Sequence, residues 1–238
     1  RLSCAIVGNV VIPSGHASNA VTPRISRDPI WRTLAAAVAA RGTSPGIQLA
    51  TAWEGYAGAT SFRPKSWNET IARSREIASR VTNARLQQLF NDLREGTQLA
   101  AEAGFRHVQL HAAHGYLFSL LVDDRIYDGA DDTLAHVARW EEESRASGLE
   151  TSLRISLRTG DALFDQAGTE RFQDRASTSP VGLIDLSSGF YNVDKRLIYP
   201  SVATTLQQRW RESAAVAVRH PSRNFILSGR ALAAVTTL

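Results

Sequence analysis

The chain has 238 residues, 43% of them hydrophobic, enough for one large domain with a sizeable core, and no apolar run approaches the ~20 residues that cross a bilayer. A lone Cys4 excludes a disulfide framework and a cysteine zinc site, and with no signal-peptide pattern after Arg1 the expected setting is soluble and cytoplasmic. The net charge of +4 comes from 27 basic residues, 25 of them Arg, dispersed among acids rather than clustered, which argues against a nucleic-acid partner.

Read for periodicity, the chain alternates strand and helix. Cys4 to Ile12 (CAIVGNVVI) is a short apolar, β-branched run. Asp28 to Arg41 reads as a helix, with Asp28 as cap, Pro29 in the first turn and Gly42 at the end. Gly46 to Ala50 (GIQLA) is a second strand, followed by a Gly-, Ser- and Pro-rich loop from Thr51 to Trp67. Asn83 to Ala103 is a long helix stopped by Gly104, and Arg106 to Leu110 (RHVQL) is the third strand. The pattern repeats with a helix from Asp131 to Ser147, a strand from Thr151 to Ser156 (TSLRIS) and a short helix from Thr169 to Ser177. A strand from Val181 to Leu186 (VGLIDL), a helix from Val202 to Arg219 and a strand from Asn224 to Leu227 (NFIL) complete it.

Such alternation predicts a parallel sheet with right-handed crossovers. Two architectures compete, an open doubly wound sheet and a TIM (β/α)8-type barrel. Polar or small residues close successive strands: Gly8, Gln48, His111, Arg154, Ser187 and Gly229. In a barrel those carboxyl ends ring one mouth, where active sites lie. No dinucleotide-binding glycine fingerprint follows the first strand. The expectation is therefore an α/β barrel.

The densest chemical signal is the run His111-Ala112-Ala113-His114-Gly115-Tyr116-Leu117. Each neutral imidazole offers one N–H donor, and the Tyr offers an O–H. Two donors on a carbonyl oxygen polarise a conjugated substrate, and a nearby Tyr can deliver a proton. The competing reading is a pair of loop histidines beside a core Tyr. A metal site is the weaker alternative, since only Asp123, Asp124 or Asp128 offers a third ligand.

Gln48 interrupts an apolar strand. Its amide can read a ring with mixed donor and acceptor edges, or simply bond to backbone. Arg154 interrupts TSLRIS, and a buried Arg needs a partner. It can face negative charge on a reduced ring or a phosphate, or pair with Asp185. Ser187-Ser188-Gly189 forms a small corner before Tyr191 and Tyr199, and Ser228-Gly229-Arg230 suits a phosphate at a helix start. There is no GxSxG elbow and no P-loop.

The segment AAEAGFRHVQLHAAHGYLFSLLVDD, from Ala100 to Asp124, closely resembles the signature of the Old Yellow Enzyme family of FMN oxidoreductases. GNVVIP, GIQLA, LRIS, IDLSSG and ILSGR resemble flanking barrel strands of the same family, so that the six strands match barrel strands two to seven. The resemblance implies a single flavin-binding barrel over 1–238, truncated at both ends, with FMN at its mouth and NAD(P)H as reductant. It implies that His111 and His114 bind a substrate carbonyl or a phenol and that Tyr116 donates the proton. It further implies that Gly8, Gln48 and Arg154 contact the flavin, and that Gly229 with Arg230 lies at its phosphate. The substrate would be an enone, and a second copy or a partner chain would complete the barrel. Three segments depart from the family pattern: Thr51-Ala52-Trp53-Glu54 after strand GIQLA, Gln109 in place of an acid, and Asp128 to Val137. Two alternatives follow, a flavin-free member acting as a binding subunit, and a flavin enzyme of dehydrogenation or isomerisation.

Overall fold

The structure, a computed structural model, describes residues 2–56, 67–193 and 203–227. Six strands lie side by side in one parallel sheet: β1 (Cys4–Val11), β2 (Ser44–Ala50), β3 (His107–Ala112), β4 (Glu150–Ser156), β5 (Leu183–Ser187) and β6 (Asn224–Leu227). Their spatial order is their chain order, each strand pairing with the next. A doubly wound sheet reverses direction at a switch point. An unbroken order is the winding of a TIM barrel, which decides between the two expected architectures; six of the eight strands of such a barrel are present among the described residues.

The helices are α1 (Pro29–Ala39), α2 (Trp67–Ser79), α3 (Asn83–Glu102), α4 (Leu117–Leu121), α5 (Ala130–Ala146), α6 (Thr169–Ser177) and α7 (Ala203–Arg219). Side chains cap the starts of α1, as expected, and of α3. Asp28 accepts from the Ile30 amide at 2.9 Å, Pro29 opens α1, and Thr82 accepts from the Arg85 amide at 3.2 Å at the start of α3. Helix α2 falls in a stretch where no element was expected. Its buried face is Ile71, Ser74 and Ala78, a helical spacing masked in the sequence by a polar middle member and by the four charged residues of the helix.

The two faces of the sheet differ in chemistry. Ile47 and Leu49 of β2, Val108 and Leu110 of β3, Leu153 and Ile155 of β4, and Ile184 and Leu186 of β5 are fully buried. They join one core with Leu89, Phe90 and Leu93 of α3, Trp140 of α5 and Val216 of α7. Trp140 also donates its indole N–H to Thr97 at 2.9 Å, so this fully buried side chain is satisfied in its polar atom as well. The alternating residues on the opposite face are polar: Gln48, then Gln109 and His111, then Ser152, Arg154 and Ser156, then Asp185 and Ser187. A barrel interior is ordinarily filled with bulky branched side chains. Here it carries a hydrogen-bonded polar network that leads upward to the mouth.

Candidate active site

The network begins below the mouth. Gly8 of β1 lies so close to Gln48 that a Cβ on it would stand 2.6 Å from the Gln48 Cβ, and the β1–β2 register shifts at this point. Gln48 Nε2 donates to Gln109 Oε1 at 2.5 Å. Gln109 Nε2 in turn reaches Ser152 Oγ at 3.1 Å and Asp185 Oδ2 at 3.2 Å. Asp185 Oδ2 stands 3.7 Å from Arg154 Nε, and Arg154 Nη2 donates to Ser187 Oγ at 3.3 Å. Gly8, Gln48 and Arg154 are thus brought together. The Gln48 amide is turned toward Gln109, and Arg154 has the Asp185 neighbour that the sequence offered as an alternative. Gln109, a departure from the family pattern, is the residue that joins the two.

At the top of β3 the HAAHGYL run turns through two consecutive left-handed residues, His114 at φ 65° and Gly115 at φ 78°. A side chain at the second position would be strained and would meet the Phe190 ring at 3.1 Å. The loop is pinned from several sides. The His114 amide donates to Ser156 Oγ at 2.9 Å, the Tyr191 amide to the His114 carbonyl at 3.2 Å, and the Leu117 amide to the Thr51 carbonyl at 3.1 Å. Trp53, in the departing segment after β2, donates its indole N–H to the Gly115 carbonyl at 3.3 Å.

This pinning buries His111, His114 and Tyr116 at 3%, 4% and 6% exposure. The two imidazole centroids are 5.4 Å apart, and the Tyr116 ring meets His111 edge-on at 4.9 Å. Tyr191 packs against both His114, at 5.4 Å, and Tyr116, at 6.0 Å. Tyr56 stands edge-on to Tyr116 at 5.1 Å, with its buried hydroxyl unpartnered. Burial, then His114 and Arg154, holds His111 far below the usual imidazole range. Burial, then Arg154, brings His114 down to about 3 against the opposing pull of the Gly189 carbonyl. Both rings are neutral at physiological pH. His111 Nδ1 is buried without a hydrogen-bond partner. His114 differs: Nδ1 lies 3.0 Å from the Gly189 carbonyl and Nε2 lies 3.2 Å from Ser187 Oγ.

Ser187 collects a further group that the sequence reading did not single out. Arg209 of α7 is 4% exposed and donates through Nη2 to Ser187 Oγ at 3.2 Å. Its signal was present in the helix, since Arg209, Ser213 and Val216 are the buried stripe at helical spacing. Two of the three carboxylates weighed as a third metal ligand turn elsewhere. Asp123 takes a bidentate pair from Arg125 at 2.9 and 2.7 Å, and Asp124 takes Arg171 at 3.2 Å. Gly229 and Arg230 lie outside the described residues. Beside the mouth, a cleft of about 540 Å³ runs between α2 and the loops, with Trp53, Arg73, Gly115, Phe190 and Asn192 in its wall.

Fold and site together define a barrel-type α/β protein whose polar inner face ends in a buried His–His–Tyr cluster. No family model matches the chain. Among curated proteins it is similar to 12-oxophytodienoate reductase 1 of Oryza sativa subsp. japonica, 24% identical over 159 residues, covering 62% of this chain and 38% of that protein. It is also similar to 12-oxophytodienoate reductase 2 of Arabidopsis thaliana, 28% identical over 98 residues, covering 41% of this chain and 23% of that protein. The chain spans about a third to two fifths of the length of the first curated relatives it matches. Among solved structures it superposes on Old Yellow Enzyme from Pichia sp. AKU4542 with a TM-score of 0.58 and 13% identity, over 93% of this chain and 68% of that one. It superposes on histamine dehydrogenase from Rhizobium sp. 4-9 with a TM-score of 0.63 and 15% identity, over 95% and 39%. In sequence the chain is thus similar to 12-oxophytodienoate reductases, and in fold to Old Yellow Enzyme.

Proposed function

We propose that this chain forms the catalytic core of an FMN-dependent oxidoreductase that uses NAD(P)H to reduce the activated C=C bond of an α,β-unsaturated carbonyl compound. One observation carries the reading: His111 Nδ1 is buried, neutral and unpartnered, next to Tyr116. A buried polar atom without a partner is costly in a folded protein unless a ligand satisfies it. A neutral imidazole that bears its proton on Nδ1 is a donor to a carbonyl or phenolate oxygen, and it brings no positive charge that would have to be desolvated with the ligand.

The residues present also suit a flavin. Arg154 Nε and Ser188 Oγ are buried polar atoms without hydrogen bonds near the same strand ends. Arg154, Gly8 and Gln48 would hold the ring, and Gly229 with Arg230 would hold the phosphate. When bound, FMN supplies hydride transfer. In this arrangement His111 orients the substrate by its oxygen, the Tyr116 hydroxyl is the proton source, and the packed rings of Tyr56, Tyr116 and Tyr191 keep water from them.

A second reading is a flavin-free binding subunit, and the Gln48–Gln109 bond at 2.5 Å favours it, because that bond occupies an amide N–H that a ring edge would need. The test of both is cofactor loading followed by turnover. The purified chain is incubated with FMN, desalted, and assayed with NADPH, with NADH and with a cyclic enone. Retained yellow colour with enone-dependent oxidation of either nicotinamide is the expected result. Failure to retain flavin selects the second reading, and retained flavin without enone turnover selects a different flavin chemistry.

A further inference from the structure

We propose that Ser187, held by Arg154 and Arg209, is a positioning residue that fixes the proton of His114 on Nδ1 and so leaves His111 as the imidazole that meets a ligand. The donors and lone pairs around one oxygen decide the tautomer. A serine hydroxyl has one proton to give and two lone pairs to accept with. Arg154 Nη2 and Arg209 Nη2 approach Ser187 Oγ at 3.3 and 3.2 Å. A guanidinium only donates. The two arginines therefore fill both lone pairs, and the Ser187 proton has to point at the remaining neighbour, His114 Nε2, at 3.2 Å. That nitrogen must then be bare.

The other side of the ring gives the same answer independently. His114 Nδ1 faces the Gly189 carbonyl at 3.0 Å, and a carbonyl only accepts, so Nδ1 carries the proton. Ser156 fixes the frame around it, accepting from the His114 amide at 2.9 Å and donating to the same Gly189 carbonyl at 3.2 Å. Both ring nitrogens of His114 are used within the protein, and no N–H is left for a bound oxygen. His111, 5.4 Å away, has the opposite status, with Nδ1 buried and unpartnered. Two histidines that look equivalent in HAAHGYL are thus divided into a strut and a ligand-facing group. Arg209 enters this division from α7, the second cation needed to saturate Ser187.

The tautomer of His114 does not depend on the proposed activity; only its consequence for ligand binding rests on that reading. The test is therefore made on the 15N-labelled full chain without cofactor, by long-range 1H–15N correlation of the imidazole rings. The expected pattern for His114 is a protonated, pyrrole-type Nδ1 and a bare, pyridine-type Nε2. Ser187→Ala should shift the Nε2 resonance and leave Nδ1 protonated, while Ser187→Thr, which keeps the hydroxyl, should restore the native position. Arg209→Met should give a displacement in the same direction as Ser187→Ala. A protonated Nε2 in the native chain overturns the proposal whatever the variants do. So does an Nε2 resonance that Ser187→Ala leaves in place.

Discussion

Gln109 stands between Gln48 and Asp185, accepting from the one at 2.5 Å and donating to the other at 3.2 Å, so a single amide couples β2 to β5 across the inner face of the barrel. An acid at this position would lose the amide donor to Asp185 and would place a second carboxylate against it. Gln109→Glu should therefore destabilise the fold by about 2 kcal/mol or more, the order expected when a buried polar pair is broken and like charges face each other. Urea unfolding at neutral pH reads this directly, and an unchanged midpoint would show that the amide bridge is not part of what holds the barrel.

His111→Ala removes the unpartnered imidazole at the mouth. A charge-assisted hydrogen bond to a phenolate oxygen contributes roughly 1.5–3 kcal/mol, so phenol affinity should fall by about 10- to 100-fold. Flavin retention should be unchanged, because Gly8, Gln48 and Arg154 are untouched. Titrating the FMN-loaded protein with a substituted phenol separates the two effects.

Tyr116→Phe keeps the ring that packs on His111 at 4.9 Å and on Tyr56 at 5.1 Å and deletes only the hydroxyl. Loss of a positioned proton donor costs about 10²- to 10⁴-fold in the step that needs it. Enone reduction should slow by that order while flavin reduction by NAD(P)H keeps its rate, and stopped-flow kinetics of the two half-reactions distinguishes them. Equal slowing of both halves would remove Tyr116 from the proton-donor role.

Much of the site was legible because its residue types conflict with their local pattern. Gln48 and Arg154 break apolar strands, and HAAHGYL is too dense in polar rings for an ordinary strand-to-helix turn. The strands were legible from their apolar runs, and α1 and α3 from their caps. What the residues could not show was how donors and acceptors divide across strands. Nothing local in His111 and His114 says that one ring is saturated and the other is not, since the partners of His114 come from Gly189 and Ser187, more than seventy residues away. Helix α2 escaped notice because Ser74 sits in the middle of its buried stripe. Arg209 did so because a basic residue on a helix is usually solvated.

Acid should weaken the fold. The pKa values of His107, His111, His114 and His136 are all lowered, with burial as the leading cause. The unfolded chain binds protons at these residues near pH 6.5, whereas the folded chain resists them, His114 down to about 3. Their contribution is fully present above pH 6.5 and is lost as pH falls toward each folded value. The buried pair His111 and His114 should each lower stability by up to about 1.4 kcal/mol per pH unit within that window. Urea midpoints at pH 7.5, 6 and 5 should decline in that order, and a midpoint that rises on acidification would contradict the burial of these rings.

A flavin site at the mouth above Arg154 and His111 shows itself in the visible absorption spectrum of the purified chain after FMN loading and desalting. The expected spectrum keeps the flavin bands and changes further on addition of a phenol. A colourless protein, with all of the FMN recovered in the wash, would contradict it.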